Sequence, residues 1–273
     1  MLRPEDFFDL SRTGYADLFD GVEYVWEALS KLKGYIKEKI SPNMPKVVSK
    51  GSLIDSTIVI YNGKVIEGEF CVEMGNASKG ELVVKKNGEV LSGASIICAG
   101  AVLMDDIEIG KGSIIEPGAL IKGPTIIGDN TEVRQGAYIR GNVLVGSGCV
   151  VGHTTEMKSA VMLGESKAGH FAYIGDSILG KVNLGAGTKL ANLKITDTEV
   201  ILRIKGKKYE TGLRKFGAIL GDGVETGCNT VTSPGTILSK GVLVYPNSMA
   251  SGYHEENTII KLRQKQEIKK KGE

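Results

Sequence analysis

The chain has 273 residues, 41% of them apolar and 6% aromatic, with 37 glycines and a formal net charge of +2. That balance gives no footing for nucleic-acid binding, and no apolar run reaches the roughly eighteen residues of a membrane span. Abundant glycine with few aromatics suits tight turns around small and aliphatic side chains better than a sandwich or a doubly wound sheet. In chain order, residues 1–45 form the first segment and read as helical up to residue 42. Tyr15, Leu18, Phe19, Val22, Val25, Trp26, Leu29, Leu32 and Ile36 recur at spacings of three and four and give one apolar face. The prolines of "SPNMP" at 41–45 end it. The opening "MLRPEDFFDL" is acidic and aromatic, unlike a secretory signal. Cys71, Cys98, Cys149 and Cys228 form no CxxC pair. Free thiols, and with them a cytoplasmic location, are the expectation.

Residues 46–90 are strand-rich. "STIVIYNGKVIEG" and "ELVVKKNGEVL" alternate apolar and polar residues, and the "KNGE" turn predicts a hairpin. The pattern leaves open whether this region joins the repeats that begin after it. Over residues 91–262 a period of six takes over. Leu91, Ile97, Leu103, Ile109, Ile115, Ile121, Ile127, Val133, Ile139, Val145, Val151, Met157 and Leu163 succeed one another at that interval. A second run continues from Leu220 to Ala250. Neither a helix nor a simple strand has this period. It predicts an all-β solenoid, a parallel β-helix of hexapeptide repeats in which three hexads make a triangular coil. Coils stack at about the strand spacing of 4.8 Å. Residues 191–217 interrupt the hexads and read as a loop or hairpin protruding from the coil. The tail, 263–273, is basic and reads as helical at first, then frayed.

Two features stand out against the repeat. Lys122, Arg140 and Lys158 are eighteen residues apart, so the coil stacks them into one column. Like charges at that spacing repel unless water or an anion lies between them. The column is either an anion site or a solvated outer row. The second feature is His170, in "SKAGHFAYIGD". From Leu163 to Ile174 is eleven residues where two hexads need twelve, which places His170 where the repeat fails. Departures of that kind often mark functional sites, although a lone histidine in a β protein is more often structural.

The stretch "MKSAVMLGESKAGHFAYIGDSILGKVNLGAGTKLANLK" resembles the acetyltransferase domain of the bifunctional N-acetylglucosamine-1-phosphate uridyltransferase/glucosamine-1-phosphate acetyltransferase family. The likeness covers about residues 91–262 and is sharpest over 140–192 and 214–234. It implies a left-handed β-helix, acetyl-CoA as co-substrate, no metal, an amino-sugar phosphate as acceptor and a homotrimer with sites between neighbouring prisms. It matches the family's general base to His170 and suggests Glu156 as that histidine's orienting partner. It matches the sugar-phosphate ligands to Arg140, Lys158, Tyr173, Asn183 and Lys215. Asn192 and Cys228 fall at acyl-CoA positions, with Cys228 where the family has a serine and Leu193 where it has a tyrosine. No glycine-rich nucleotide loop occurs in residues 1–90, so nucleotidyl transfer is not expected.

Three other functions compete for the same scaffold. One is an acyltransferase for another amino sugar or a nucleotide-linked sugar. Another is a non-catalytic module that trimerises and binds sugar phosphate. A three-histidine zinc enzyme is the weakest, because His153, His170 and His254 include no close pair in sequence.

Overall fold

In the computed structural model, described over residues 2–44, 51–66 and 68–271, the hexads close into a parallel β-helix with three faces. Pro45, residues 46–50 and the last two residues of the tail lie outside the described residues. Face one carries the strands from Ser95–Ile97 to Ile259–Ile260, face two those from Val102–Leu103 to Met249–Ala250, and face three those from Ile107–Ile109 to Tyr253–His254. Each strand pairs in parallel with its equivalent one coil away, as Ile121 does with Ile139 and Ile139 with Met157. The inward side chains form one continuous core. Ile97, Leu103, Ile115, Ile121, Val133, Ile139, Val151 and Met157 are all fully buried within it. All four cysteines are free thiols, and burial pushes that of Cys149 up to about 12.

The repeat shortens at corners. Ile139 pairs with Met157 at an offset of eighteen, whereas Leu144 pairs with Val161 at seventeen, so one residue is missing between Lys158 and Val161. Met162 therefore takes the inward slot, and Leu163 turns outward into a different cluster. This corrects the hexad reading of Leu163. It also moves the irregularity away from His170. Val150 pairs with Lys167 and His153 with His170 at one constant offset, so His170 sits in regular register directly above His153.

The N-terminal segment is only partly helical. Its one long helix is Glu27–Lys39, which buries Ala28, Leu32 and Ile36, one residue per turn. Upstream, Gly14 and Gly21, the latter at φ +67°, break the pattern into a four-residue helix at Pro4–Phe7 and 3-10 turns at Leu10–Arg12 and Ala16–Phe19. The segment runs along face three. There Phe7, Phe8, Leu18, Phe19, Trp26, Leu32 and Ile36 cover the outward column Ile126, Leu144, Val161, Ile178, Ile219 and Ile237. The inserted residues protrude only over 195–199, which are exposed. Their hairpin, Ile201–Ile204 with Lys207–Glu210, folds onto the same cluster. Tyr209 packs edge-on against Tyr24 and Trp26 at 5.5 and 5.9 Å.

The strand-rich region joins the helix in part. Ile58–Tyr61 pairs antiparallel with Ser95–Ile97 and starts face one. Cys71–Glu73, Val83–Lys86 and Glu89–Val90 make a separate sheet, with Asn87 and Gly88 both at positive φ in the expected hairpin turn. It packs on the lower part of face one through Val84, Ile96 and Ile114. The tail departs from expectation: residues 261–270 are exposed and form no helix. No helix of the described residues is long and apolar enough to cross a membrane.

Candidate functional site

The column of cations forms as the spacing requires. Lys122, Arg140 and Lys158 each come directly after an inward residue of face two, at its corner with face three. The next position up is not a fourth cation but Gly175, paired with Lys158. A Cβ there would come within 2.6 Å of the Tyr173 hydroxyl and 2.8 Å of the Asn192 amide nitrogen. Glycine is what lets both groups lie across the corner above Lys158.

The inserted segment completes this corner. It leaves the coil at Asn192 and returns beside it: Leu193 and Lys215 form an antiparallel bridge, and the Phe216 N–H donates to the Asn192 carbonyl at 2.9 Å. Lys215, twenty-three residues beyond Asn192 in the chain, thereby reaches Lys158. Asp176 holds the junction. Its carboxylate accepts from the Asn192 side-chain amide, its N–H donates to the Lys158 carbonyl, and its carbonyl accepts from Gly217.

The electrostatics arise from this crowding. Burial pushes the Lys158 ammonium below its ordinary pKa; Asp176 opposes that, and Lys215 and Arg140 reinforce it. Burial likewise raises the Tyr173 phenol, helped by Glu156 and Asp176 and opposed by Arg140 and Asn192. Glu156 accepts a charge-assisted bond from Arg140 at 2.8 Å, which raises the guanidinium's pKa further. The suggested pairing of Glu156 with His170 is therefore not formed within the described residues, because the carboxylate reaches across to Arg140 on the neighbouring coil.

His170 lies at the other edge of face two, where it meets face one. The side chain is exposed, and its ring makes no hydrogen bond among the described residues. Phe171, at φ +35° and 51% exposed, stands beside it with ring centres 6.4 Å apart. One coil below, the His153 ring bonds through Nδ1 to the Gln135 carbonyl at 3.1 Å, which fixes the proton on that nitrogen. One coil above is Ala186, whose N–H makes no hydrogen bond among the described residues, and two coils above is the exposed thiol of Cys228.

One chain thus brings Arg140, Glu156, Lys158, Tyr173, Asn192 and Lys215 to one edge of face two, and His170 and Cys228 to the other. Asn183 is exposed on face one, level with Lys167 one coil below, and belongs to neither group. Sequence reasoning missed Asp176 and Tyr138. Asp176 comes right after Gly175 in "YIGDS", the position that turns the corner, and Tyr138 sits two residues before Arg140 on the outward side of face two. No group of three or more metal-ligating side chains occurs among the described residues.

Residues 121–251 match the family model of the GMPPB C-terminal domain. A bifunctional sugar-1-phosphate nucleotidylyltransferase/acetyltransferase of Sulfurisphaera tokodaii is 39% identical over 106 residues, 37% of this chain and 26% of that protein. The bifunctional protein GlmU of Methanococcus maripaludis strain C7 is 35% identical over 119 residues, 43% of this chain and 29% of that protein. Among solved structures, the polysialic acid O-acetyltransferase OatWY aligns with 59% of this chain and 88% of its own, at 15% identity and a TM-score of 0.25. The resemblance to an acetyltransferase-type domain of such bifunctional proteins is thus shown over about 40% of the chain. The chain spans between a quarter and a third of the length of these two curated relatives.

Proposed function

We propose that the protein transfers an acetyl group from acetyl-CoA to the amine of an amino-sugar phosphate such as glucosamine-1-phosphate. The observation that carries this reading is the corner where Arg140, Lys158 and Lys215 converge under Tyr173 and Asn192, across one face from an unencumbered imidazole. Three cations held together, one of them partly buried, are arranged for a phosphate. An amine at neutral pH is mostly an ammonium and cannot attack a thioester. The ammonium sheds one proton to solvent, the nitrogen lone pair attacks the acetyl carbonyl as His170 takes the second, and the C–S bond breaks as the amide forms. The thiolate of coenzyme A leaves and is protonated by the imidazolium or by water. The Ala186 N–H, one coil above His170 and without a hydrogen bond among the described residues, is assigned to the developing oxyanion. Cys228 is assigned to the acyl donor and Asn183 to the sugar, whereas Asn192, which lies at the anion corner across face two from Cys228, is assigned to the acceptor and not to the acyl donor.

Because His170 and the anion corner lie on opposite edges of face two, the complete site is assigned to the junction between chains of a homotrimer. The covering of face three by the N-terminal segment, and of the lower part of face one by the small sheet, supports this, since face two and the upper part of face one are left open for contact. Light scattering after gel filtration reads the assembly directly, and a monomer at micromolar concentration would remove the shared site.

One observation favours a second reading. With Glu156 engaged by Arg140, His170 has no orienting partner among the described residues, as in a module that binds sugar phosphate without catalysis. Release of coenzyme A from acetyl-CoA and glucosamine-1-phosphate separates the two. Turnover lost in His170→Ala supports the acyltransferase. Binding of glucosamine-1-phosphate, with no turnover on any amino sugar, supports the module.

A further inference from the structure

Lys122, the lowest member of the cationic column, has no part in binding a single phosphate. It stands one coil below Arg140 and two below Lys158, roughly 10 Å from the latter at the strand spacing. One phosphate group is too short to engage both ends of that row. Yet Lys122 is not a solvated lysine on an outer face. It is half-buried, its ammonium lies 5.3 Å from the centre of the Tyr138 ring, and the Arg140 guanidinium lies 5.9 Å from the centre of the same ring. Tyr138 thus gathers both cations along one line. Arg140 has Glu156 as counter-charge, whereas no carboxylate pairs with Lys122 among the described residues. A half-buried cation kept in line with two others, without an acid of its own, is set up for an anion from outside.

We propose that the acceptor carries a diphosphate, as a nucleoside diphosphate-linked amino sugar does, with one phosphate at Arg140, Lys158 and Lys215 and the other at Lys122. This rests on the placement of the acceptor phosphate at this corner and extends it by one coil. Coenzyme A also contains a diphosphate. The acceptor is favoured because Lys122 continues the Arg140–Lys158 column, while the edge assigned to the acyl donor lies across face two.

Calorimetric titration of the full chain with inorganic phosphate and with inorganic pyrophosphate, at one ionic strength, tests this in wild type, Lys122→Ala and Lys158→Ala. The wild type is expected to bind both and to prefer pyrophosphate. Lys122→Ala should weaken pyrophosphate on the order of tenfold and phosphate less than about twofold, the loss of one charge-assisted contact. Lys158→Ala should weaken both. An equal effect of Lys122→Ala on the two anions, or none on either, overturns the diphosphate and leaves the monophosphate reading intact. Failure of the wild type to bind either anion sinks the anion corner itself and both readings with it. In turnover, Lys122→Ala should raise KM for a uridine diphosphate-linked amino sugar and leave KM for acetyl-CoA unchanged. The reverse pattern gives the diphosphate to the donor and overturns its assignment to the acceptor.

Discussion

Faces two and three are built from the same hexads and share one core, yet they are treated in opposite ways. The outward column of face three is aliphatic, Ile126, Leu144, Val161, Ile178, Ile219 and Ile237, and the N-terminal segment and the inserted hairpin bury it. The outward column of face two includes Tyr138, Glu156, Tyr173 and Lys189, none of them buried. The inward residues of a coil specify the prism. The outward residues specify what lies against it, which here is the chain itself on one face and, on the reading above, a substrate on another.

The strongest way to break this contrast is His170→Ala. His170 is exposed and its ring makes no hydrogen bond among the described residues, so its removal should leave the melting temperature unchanged. Acetyl transfer should fall about 10²–10⁴-fold, the span associated with a general base. A variant that melts early, or that turns over normally, would move His170 out of the functional edge.

A matched pair of leucines sharpens the comparison from the structural side. Leu120 and Leu144 both point outward, Leu120 on face two and half-buried, Leu144 on face three and fully buried. Leu144→Ala should cost about 2–5 kcal/mol, as for a core leucine, and Leu120→Ala less than about 1.5 kcal/mol, since part of its surface is already wet. Denaturant midpoints measure both. Equal losses would mean that the N-terminal segment rests on face three without being held there.

Legibility in the sequence divides along the same line. Inward positions are readable because period six at fixed polarity is a strict pattern. The column Lys122, Arg140 and Lys158 is readable because it is tied to that pattern at one residue's remove. The period misplaces Leu163 because a corner one residue short between Lys158 and Val161 shifts the later residues from inside to outside, and a repeat of apolar residues does not mark which ones moved. The path of the N-terminal segment is not legible: Tyr15 to Trp26 have helical spacing, but glycines at 14 and 21 and the flat aliphatic wall of face three favour short turns. Glu156 is linked to His170 by likeness to a family, while the local geometry offers it a guanidinium on the neighbouring strand. Lys215 is placed by likeness alone, since the bridge between Leu193 and Lys215 that returns it to the corner spans an irregular insertion.

Gly175→Ala probes the substrate face with a smaller change. The added methyl meets the Tyr173 hydroxyl and the Asn192 amide, and both must move off the corner above Lys158. Expected is a rise in acceptor KM on the order of tenfold, the loss of one good polar contact, with KM for acetyl-CoA held. If the two KM values rise together, Tyr173 and Asn192 serve the whole site and not the acceptor's end of it.

The smallest effect concerns a third kind of covering, between the lower part of face one and the small sheet upon it. Here the clamp is polar. The buried Glu132 carboxylate accepts from the Ser78 N–H at 3.0 Å and the Ser78 hydroxyl at 2.7 Å, and from Arg134 at 2.6 Å. Burial alone pushes its pKa up, but the bonds from Ser78 and Arg134 outweigh burial and hold it below the ordinary value of 4.5. A carboxyl depressed on folding stabilises the protein above its unfolded pKa, and that contribution drains away as pH falls through the lower, folded value. Glu132→Gln keeps an acceptor oxygen but not the charge. It should lower stability by about 1 kcal/mol at pH 7, and the gap from wild type should close as pH drops below about 4.5. Melting curves of the two proteins from pH 7 to pH 3.5 measure that gap. A gap that persists unchanged at the acid end would mean the clamp works by shape, as on face three, and not by charge.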